Sequence, residues 1–168
     1  SYDADATTQQ TSLSINTQDV ANIWTYDSYG NSGASTEVAA YTAAAVPGAP
    51  TVDNMSLTGG DVTLDVNSNP GSTEFAIQET STGLYVQANG SLGGSAVWQD
   101  NATWGTVTIS GASANTEYTF KVKARNGDST ETAFGDTASA YTLASQVTSV
   151  VIADATDKTN YQGTLTWS

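Results

Sequence analysis

The chain has 168 residues, 38% hydrophobic and only 12% charged, with 17 acidic residues against 4 basic ones and a formal net charge of -13. So acidic a surface repels polyphosphates and anionic headgroups, which argues against nucleic acid as a partner. The absence of cysteine and histidine removes disulfides, zinc–thiolate sites, thiol nucleophiles and the usual general base together.

In chain order, short β-rich runs alternate with Gly/Asn/Asp/Ser clusters, and no stretch keeps a helical period. The first residue is Ser1, so a processed mature product or a window on a longer chain is expected. Ile23-Trp-Thr-Tyr-Asp-Ser-Tyr-Gly30 is followed by Ala40-Tyr41-Thr42 and a small-residue linker, Ala43 to Pro50. Asp61-Val-Thr-Leu-Asp-Val66 alternates with period two, and Trp104-Gly-Thr-Val-Thr-Ile109 does so in part. The clearest strand is Tyr118-Thr-Phe-Lys-Val-Lys-Ala124, with Tyr118, Phe120, Val122 and Ala124 on one face and Thr119, Lys121 and Lys123 on the other. Asn89-Gly90 and Asn126-Gly127 supply turns that tolerate positive φ. No run reaches the roughly 18 apolar residues of a membrane span, so membrane insertion is not expected. The predicted fold class is all-β.

An internal repeat with a period of about one hundred residues organises the chain. Ala40-Tyr41-Thr42 returns as Ala140-Tyr141-Thr142, and the linker at 43–50 as Leu143 to Gln146. The Ile23–Gly30 run matches Val122-Lys-Ala-Arg-Asn-Gly127. Val62-Thr-Leu-Asp-Val66 matches Thr164-Leu-Thr-Trp167, which sets Trp167 against Val66 and toward a core.

The central segment resembles a fibronectin type III module of the kind found in tandem on bacterial cell surfaces. The residues that carry the likeness are Gly111-Ala-Ser-Ala-Asn-Thr-Glu-Tyr118, Phe120-Lys-Val-Lys-Ala124-Arg-Asn-Gly127, Glu131-Thr-Ala-Phe-Gly135 and Tyr141-Thr142. Tyr85-Val-Gln-Ala-Asn-Gly90, Val97-Trp-Gln99 and Trp104-Gly-Thr-Val107 add to it. The resemblance implies an antiparallel immunoglobulin-like sandwich in which Tyr118 is the corner tyrosine that bonds nearby backbone. It divides the chain into residues 1–46, like strands E, F and G of one module; residues 47–143, a complete module; and residues 144–168, whose 147–168 portion is like strands A and B of a further one. In the first piece Asp19 stands where the corner tyrosine would be.

Chemistry is sparse. Glu74 and Glu79 fall on the predicted third strand an odd number of residues apart, hence on opposite faces, and Glu117 and Glu131 lie near turns. No catalytic, cofactor-binding or metal residue is assigned. Gly30-Asn-Ser-Gly33 and Gly90-Ser-Leu-Gly-Gly94 lack the lysine and helix of a phosphate loop and read as hairpin connections. Arg125-Asn-Gly-Asp128 is a strand end and turn rather than an integrin tripeptide. Calcium is the cofactor the chain would suit best, through Asp3 with Asp5, Asp53 with Asp61, or Asp154 with Asp157, although scattered surface carboxylates explain the same residues. Trp24, Trp98, Trp104 and Trp167 are weighed as a sugar-stacking platform against ordinary packing, with Trp98 the better placed for exposure, though packing beside Tyr85 is the plainer reading. Asn54-Met-Ser, Asn89-Gly-Ser and Asn101-Ala-Thr satisfy the N-glycosylation sequon.

The expectation is a non-catalytic extracellular or cell-surface structural protein of prokaryotic type. It would be a segment of a tandem array or filament whose partners are other copies of itself or neighbouring modules, joined head to tail by sharing strands. A spacer or glycan-binding accessory of a secreted enzyme or adhesin is the alternative, with glycans as partners.

Overall fold

The computed structural model describes residues 9–31, 33–152 and 165–167. In chain order, β1 (Gln18–Ala21) pairs antiparallel with β4 (Val38–Tyr41), and the intervening β2 (Tyr26–Asp27) and β3 (Gly30–Asn31) form a hairpin. The central strands are β5 (Thr51–Asp53), β6 (Gly59–Thr63), β7 (Glu74–Glu79), β8 (Tyr85–Val86), β9 (Leu92–Gly93) and β10 (Gln99–Asp100). A single helical turn, α1 (Asn101–Trp104), leads to β11 (Thr106–Ser110), β12 (Glu117–Arg125) and β13 (Ala138–Tyr141). Near the end, β14 (Val150–Ile152) pairs antiparallel with β15 (Leu165–Trp167).

The central strands form two antiparallel sheets, ordered β11-β6-β5 and β13-β12-β7-β8-β9, with β10 also on β7. This is the A-B-E and G-F-C-C′ division of a fibronectin type III-like sandwich. The alternation in β12 buries Phe120, Val122 and Ala124 against Phe75 and Ile77 of β7, and Val62, Val107 and Ile109 close the core from the facing sheet. Each of these large side chains contributes about 1.5–3 kcal/mol of burial before chain entropy is subtracted. Tyr118 packs at the edge of this core, and its hydroxyl accepts the Ser113 N–H at 2.9 Å. The corner expected from the sequence is present.

Two local expectations need correction. Trp104 is not the start of a strand: it ends α1, because Asp100 Oδ1 accepts the Thr103 N–H at 2.7 Å and Gly105 turns the chain at φ 53°. That turn buries the indole, whose Nε1 donates to the Phe75 carbonyl at 2.9 Å. Likewise β6 ends at Thr63 rather than Val66, since Asn67 and Ser68 take positive φ, although Leu64 and Val66 still pack against the core. The Trp167 side chain lies outside what the structure describes.

Candidate functional site

The carboxylates do not assemble into a catalytic site among the described residues. Glu79 is fully buried on the core side of β7, and Glu74 lies on the other face, paired to Arg125 Nε at 2.6 Å. Glu79 Oε1 accepts the Ser81 N–H at 2.9 Å and hydroxyl at 2.6 Å; Oε2 accepts the Thr82 N–H at 2.8 Å and hydroxyl at 2.6 Å. Burial pushes this carboxyl up, but those donors outweigh it and hold it down at about 2. It is a turn-closing anchor, not an acid or base. Glu131 pairs with Lys123, and Glu117 accepts distantly from the Tyr141 hydroxyl at 3.4 Å.

Asp53 and Asp61 are cross-strand neighbours on β5 and β6, yet Asp61 is taken by Thr108 Oγ1 at 2.6 Å and Asn54 Nδ2 at 2.9 Å. The same two hydrogen bonds lower its pKa. Among the described residues no three acidic side chains converge on a cation position. Asp3, Asp5, Asp154 and Asp157 lie outside the described residues. No helix there is long and apolar enough to cross a membrane.

Trp98 is half-buried, with the Arg125 guanidinium 4.7 Å and the Lys123 ammonium 5.2 Å from its ring centre. Lys123 also sits 5.5 Å from the Tyr85 ring and 5.3 Å from Phe134, and Lys121 lies 4.2 Å from Phe134. The outer face of β12 is therefore a ladder of cations on aromatic rings. Trp24 is exposed and Trp104 buried, so Trp24, Trp98 and Trp104 form no common exposed platform. All three sequon asparagines, Asn54, Asn89 and Asn101, are exposed.

The arrangement that stands out is where the repeat meets itself. Gln18 opposes Tyr41 and Asp19 opposes Ala40, as Glu117 opposes Tyr141 and Tyr118 opposes Ala140. The Thr17 N–H donates to Thr42 Oγ1 at 3.0 Å, and the Thr116 N–H to Thr142 Oγ1 at 2.9 Å. Those hydroxyls in turn donate to the Ser14 carbonyl at 2.5 Å and the Ser113 carbonyl at 2.6 Å. Asn16 and Asn115 both turn through the left-handed region, at φ 43° and 49°, with their N–H groups on the Ala43 and Leu143 carbonyls. Residues 14–21 and 38–43 thus rebuild the geometry of residues 113–120 and 138–143, with Asp19 at the corner-tyrosine position.

The first copy of this turn docks onto the central sandwich through polar contacts. Asn16 Nδ2 donates to Thr73 Oγ1 at 2.8 Å, and Asn16 Oδ1 accepts the Gly127 N–H at 2.9 Å. The outward-facing Tyr41 N–H donates to Asp128 Oδ2 at 2.7 Å, and Asn126 Nδ2 donates to the Thr42 carbonyl at 3.1 Å. Asn126 Oδ1 meanwhile accepts the Asp128 and Thr130 N–H groups at 3.1 and 2.8 Å, which shapes the turn that reaches Tyr41. Below, Asn69 clasps Ala45 through both its N–H and its carbonyl, at 2.9 and 2.8 Å. Asn16, Asn69, Thr73 and Asn126 are all buried and all satisfied, as buried polar groups in a specific junction must be. The turn has a signal in the sequence: Ser14-Ile-Asn-Thr-Gln18 returns as Ser113-Ala-Asn-Thr-Glu117, upstream of the repeated Tyr-Thr.

The first copy also has an open side. Leu13, Asp19, Ala21, Val38 and Ala40 line a groove on one face of the β1–β4 ribbon. Their counterparts in the central sandwich include Ala112, Tyr118 and Phe120, which lie beneath β5, β6 and β11. Here Val38 is 70% and Ile23 73% exposed, and Asp19 Oδ2 is buried with no hydrogen-bond partner.

No family model and no curated protein matches the chain. Solved structures do. A structure described as "Myokine structure" matches over 59% of this chain and 97% of its own, at 18% identity and a TM-score of 0.43. The chicken CNTN1 FN1-FN3 domains match over 81% of this chain and 46% of theirs, at 16% identity and 0.44. The fibronectin type-III domain of human fibronectin type III domain containing protein 3 matches over 60% and 87%, at 15% identity and 0.42.

Proposed function

We propose that this chain is a non-catalytic extracellular structural protein that assembles head to tail. Residues 147–168 of one copy would complete the half-sandwich formed by residues 1–46 of the next. The observation that carries the reading is the exposed groove on β1–β4, in which Leu13, Ala21, Val38 and Ala40 surround Asp19. In the central sandwich the equivalent surface is covered by β5, β6 and β11. A ribbon with one bare apolar face is not independently stable, and strand addition is a common remedy.

The occupant is argued from the same chain. β14 and β15 pair antiparallel, as β5 and β6 do, and they would correspond to strands A and B, which have no counterpart among described residues 9–46. A head-to-tail contact of this kind does not close and so propagates. Deleting residues 147–168 tests it: assembly seen by light scattering and electron microscopy of the full chain should be lost while the central sandwich stays folded. Fibres that persist after the deletion, or a full chain that stays monomeric at millimolar concentration, would end the reading and leave a spacer in a continuous tandem chain.

A further inference from the structure

The docking turn exists twice, and only one copy is occupied. Asn16 is 4% exposed beneath Thr73 and Gly127, whereas Asn115, in the same turn with the same backbone, is exposed. Tyr41 is half-buried, but Tyr141 is 60% exposed. The Tyr41 N–H points away from β1 and is captured by Asp128. In the identical register, the Tyr141 N–H points away from β12 on the outer edge of β13. Exposed Leu143 and Val147 extend this surface.

We infer that Asn115, Tyr141 and the Thr116–Thr142 clasp form a second docking socket for the pole of another sandwich, and that its occupant is the β2–β3 hairpin of a second copy of this chain. The socket taken by Asn16 and Tyr41 is filled by the turn between β12 and β13, so its duplicate should take the equivalent turn. In the first copy of the repeat that turn is β2–β3: its Tyr26–Asn31 pairing stands where Arg125 bridges Glu131 in the central sandwich. Ser28 falls at the Gly127 position of that turn, which is one residue shorter, and its Cβ is admitted only with the exposed Tyr141 ring lying aside from where Tyr41 sits on Gly127. Which hairpin reaches the socket rests on the strand-sharing reading, because completing residues 1–46 with strands from the preceding copy brings its β2–β3 end against that copy's Asn115. The socket would fix the rotation between successive sandwiches, as Asn16 fixes it within the chain.

The chain has no cysteine, so a disulfide placed across this contact gives an unambiguous readout. Full-length protein carrying both Ser28→Cys and Asn115→Cys should form a ladder of covalent oligomers under mild oxidation, and a Ser28→Cys, Ser95→Cys control should not. Asn115→Gly, which removes the amide but suits φ 49°, should weaken association about tenfold or more, the effect of losing one or two buried hydrogen bonds, while leaving the monomer's melting curve nearly unchanged. Assembled Ser28→Cys, Asn115→Cys chains that give no ladder, or an Asn115→Gly variant that assembles like the parent, overturn the socket and leave strand sharing standing. A ladder that survives deletion of residues 147–168 keeps the socket and sinks strand sharing. A full chain that never associates sinks both.

Discussion

Asn16 and Asn115 occupy the same left-handed turn position, φ 43° and 49°, and hand their N–H groups to equivalent carbonyls, Ala43 and Leu143. They differ in what covers them. Asn16 bridges Thr73 and Gly127 across the junction, at 2.8 and 2.9 Å. Removing its amide strands the buried Thr73 hydroxyl and takes the acceptor from the Gly127 N–H, a loss of about 1–3 kcal/mol in docking of the first repeat. Asn16→Ala should therefore let residues 9–43 tumble apart from the central sandwich, seen as faster local relaxation by NMR and early proteolysis near the 43–50 linker. Asn115→Ala shares the backbone cost of alanine at positive φ but should leave the docking of the first repeat unchanged. Equal effects of the two substitutions would show that the junction contacts do not hold the repeats together.

Tyr118→Phe removes the acceptor for the Ser113 N–H and nothing else of its packing. The expected cost is about 0.5–1.5 kcal/mol, the net value of one hydrogen bond, read as a lower denaturant midpoint at constant slope. An unchanged midpoint would mean that water replaces the hydroxyl at no cost at this partly exposed edge.

Glu79 sets a pH dependence whose sign follows from its donors. Its carboxyl is held at about 2 in the folded chain against an ordinary 4.5. The folded state therefore binds this proton less readily than the unfolded one, and the stabilisation is present above pH 4.5. It fades as pH falls toward 2, a loss on the order of 3 kcal/mol. Melting temperature measured from pH 6 to pH 2 should fall more steeply for the parent than for Glu79→Gln, which cannot titrate there. Parallel curves would show that another carboxylate carries the acid sensitivity.

How far the sequence reached depended on the range of the interaction. The alternation of Phe120, Val122 and Ala124 is a local signal with period two, so β12 and its buried face were legible, and so was the Tyr118 corner five residues from its donor. The opposite faces of Glu74 and Glu79 followed from the same pleat. Trp104 was misread because the decisive contacts are the Asp100 cap before it and the Phe75 carbonyl 29 residues away. The junction was hidden for the same reason. Asn16 and Gly127 are 111 residues apart, and Asn, Thr, Gly and Asp in turns look alike whether they end a loop or hold two repeats together. Only the paired recurrence of Ser-x-Asn-Thr could have singled them out.

Gly127 offers the last test, because it needs to be glycine for a reason outside its own turn. Its φ is not in the left-handed region, so alanine meets no backbone penalty there. A Cβ would instead fall inside the Tyr41 ring. The ring must swing aside, and the backbone beside it, which brings the Gly127 N–H to Asn16 and the Tyr41 N–H to Asp128, must shift with it. Gly127→Ala should therefore loosen the junction by about 1–2 kcal/mol, the cost of crowding one methyl into a packed contact. The central sandwich should keep its melting temperature. Gly71→Ala, where a Cβ meets nothing within 4 Å, is the matched control. Small-angle scattering should show a wider spread of repeat orientations for Gly127→Ala than for Gly71→Ala, and the Tyr41 ring resonances should move only in the former. If the Tyr41 signals are unmoved in Gly127→Ala, the ring does not lie on that glycine and the docked arrangement is wrong.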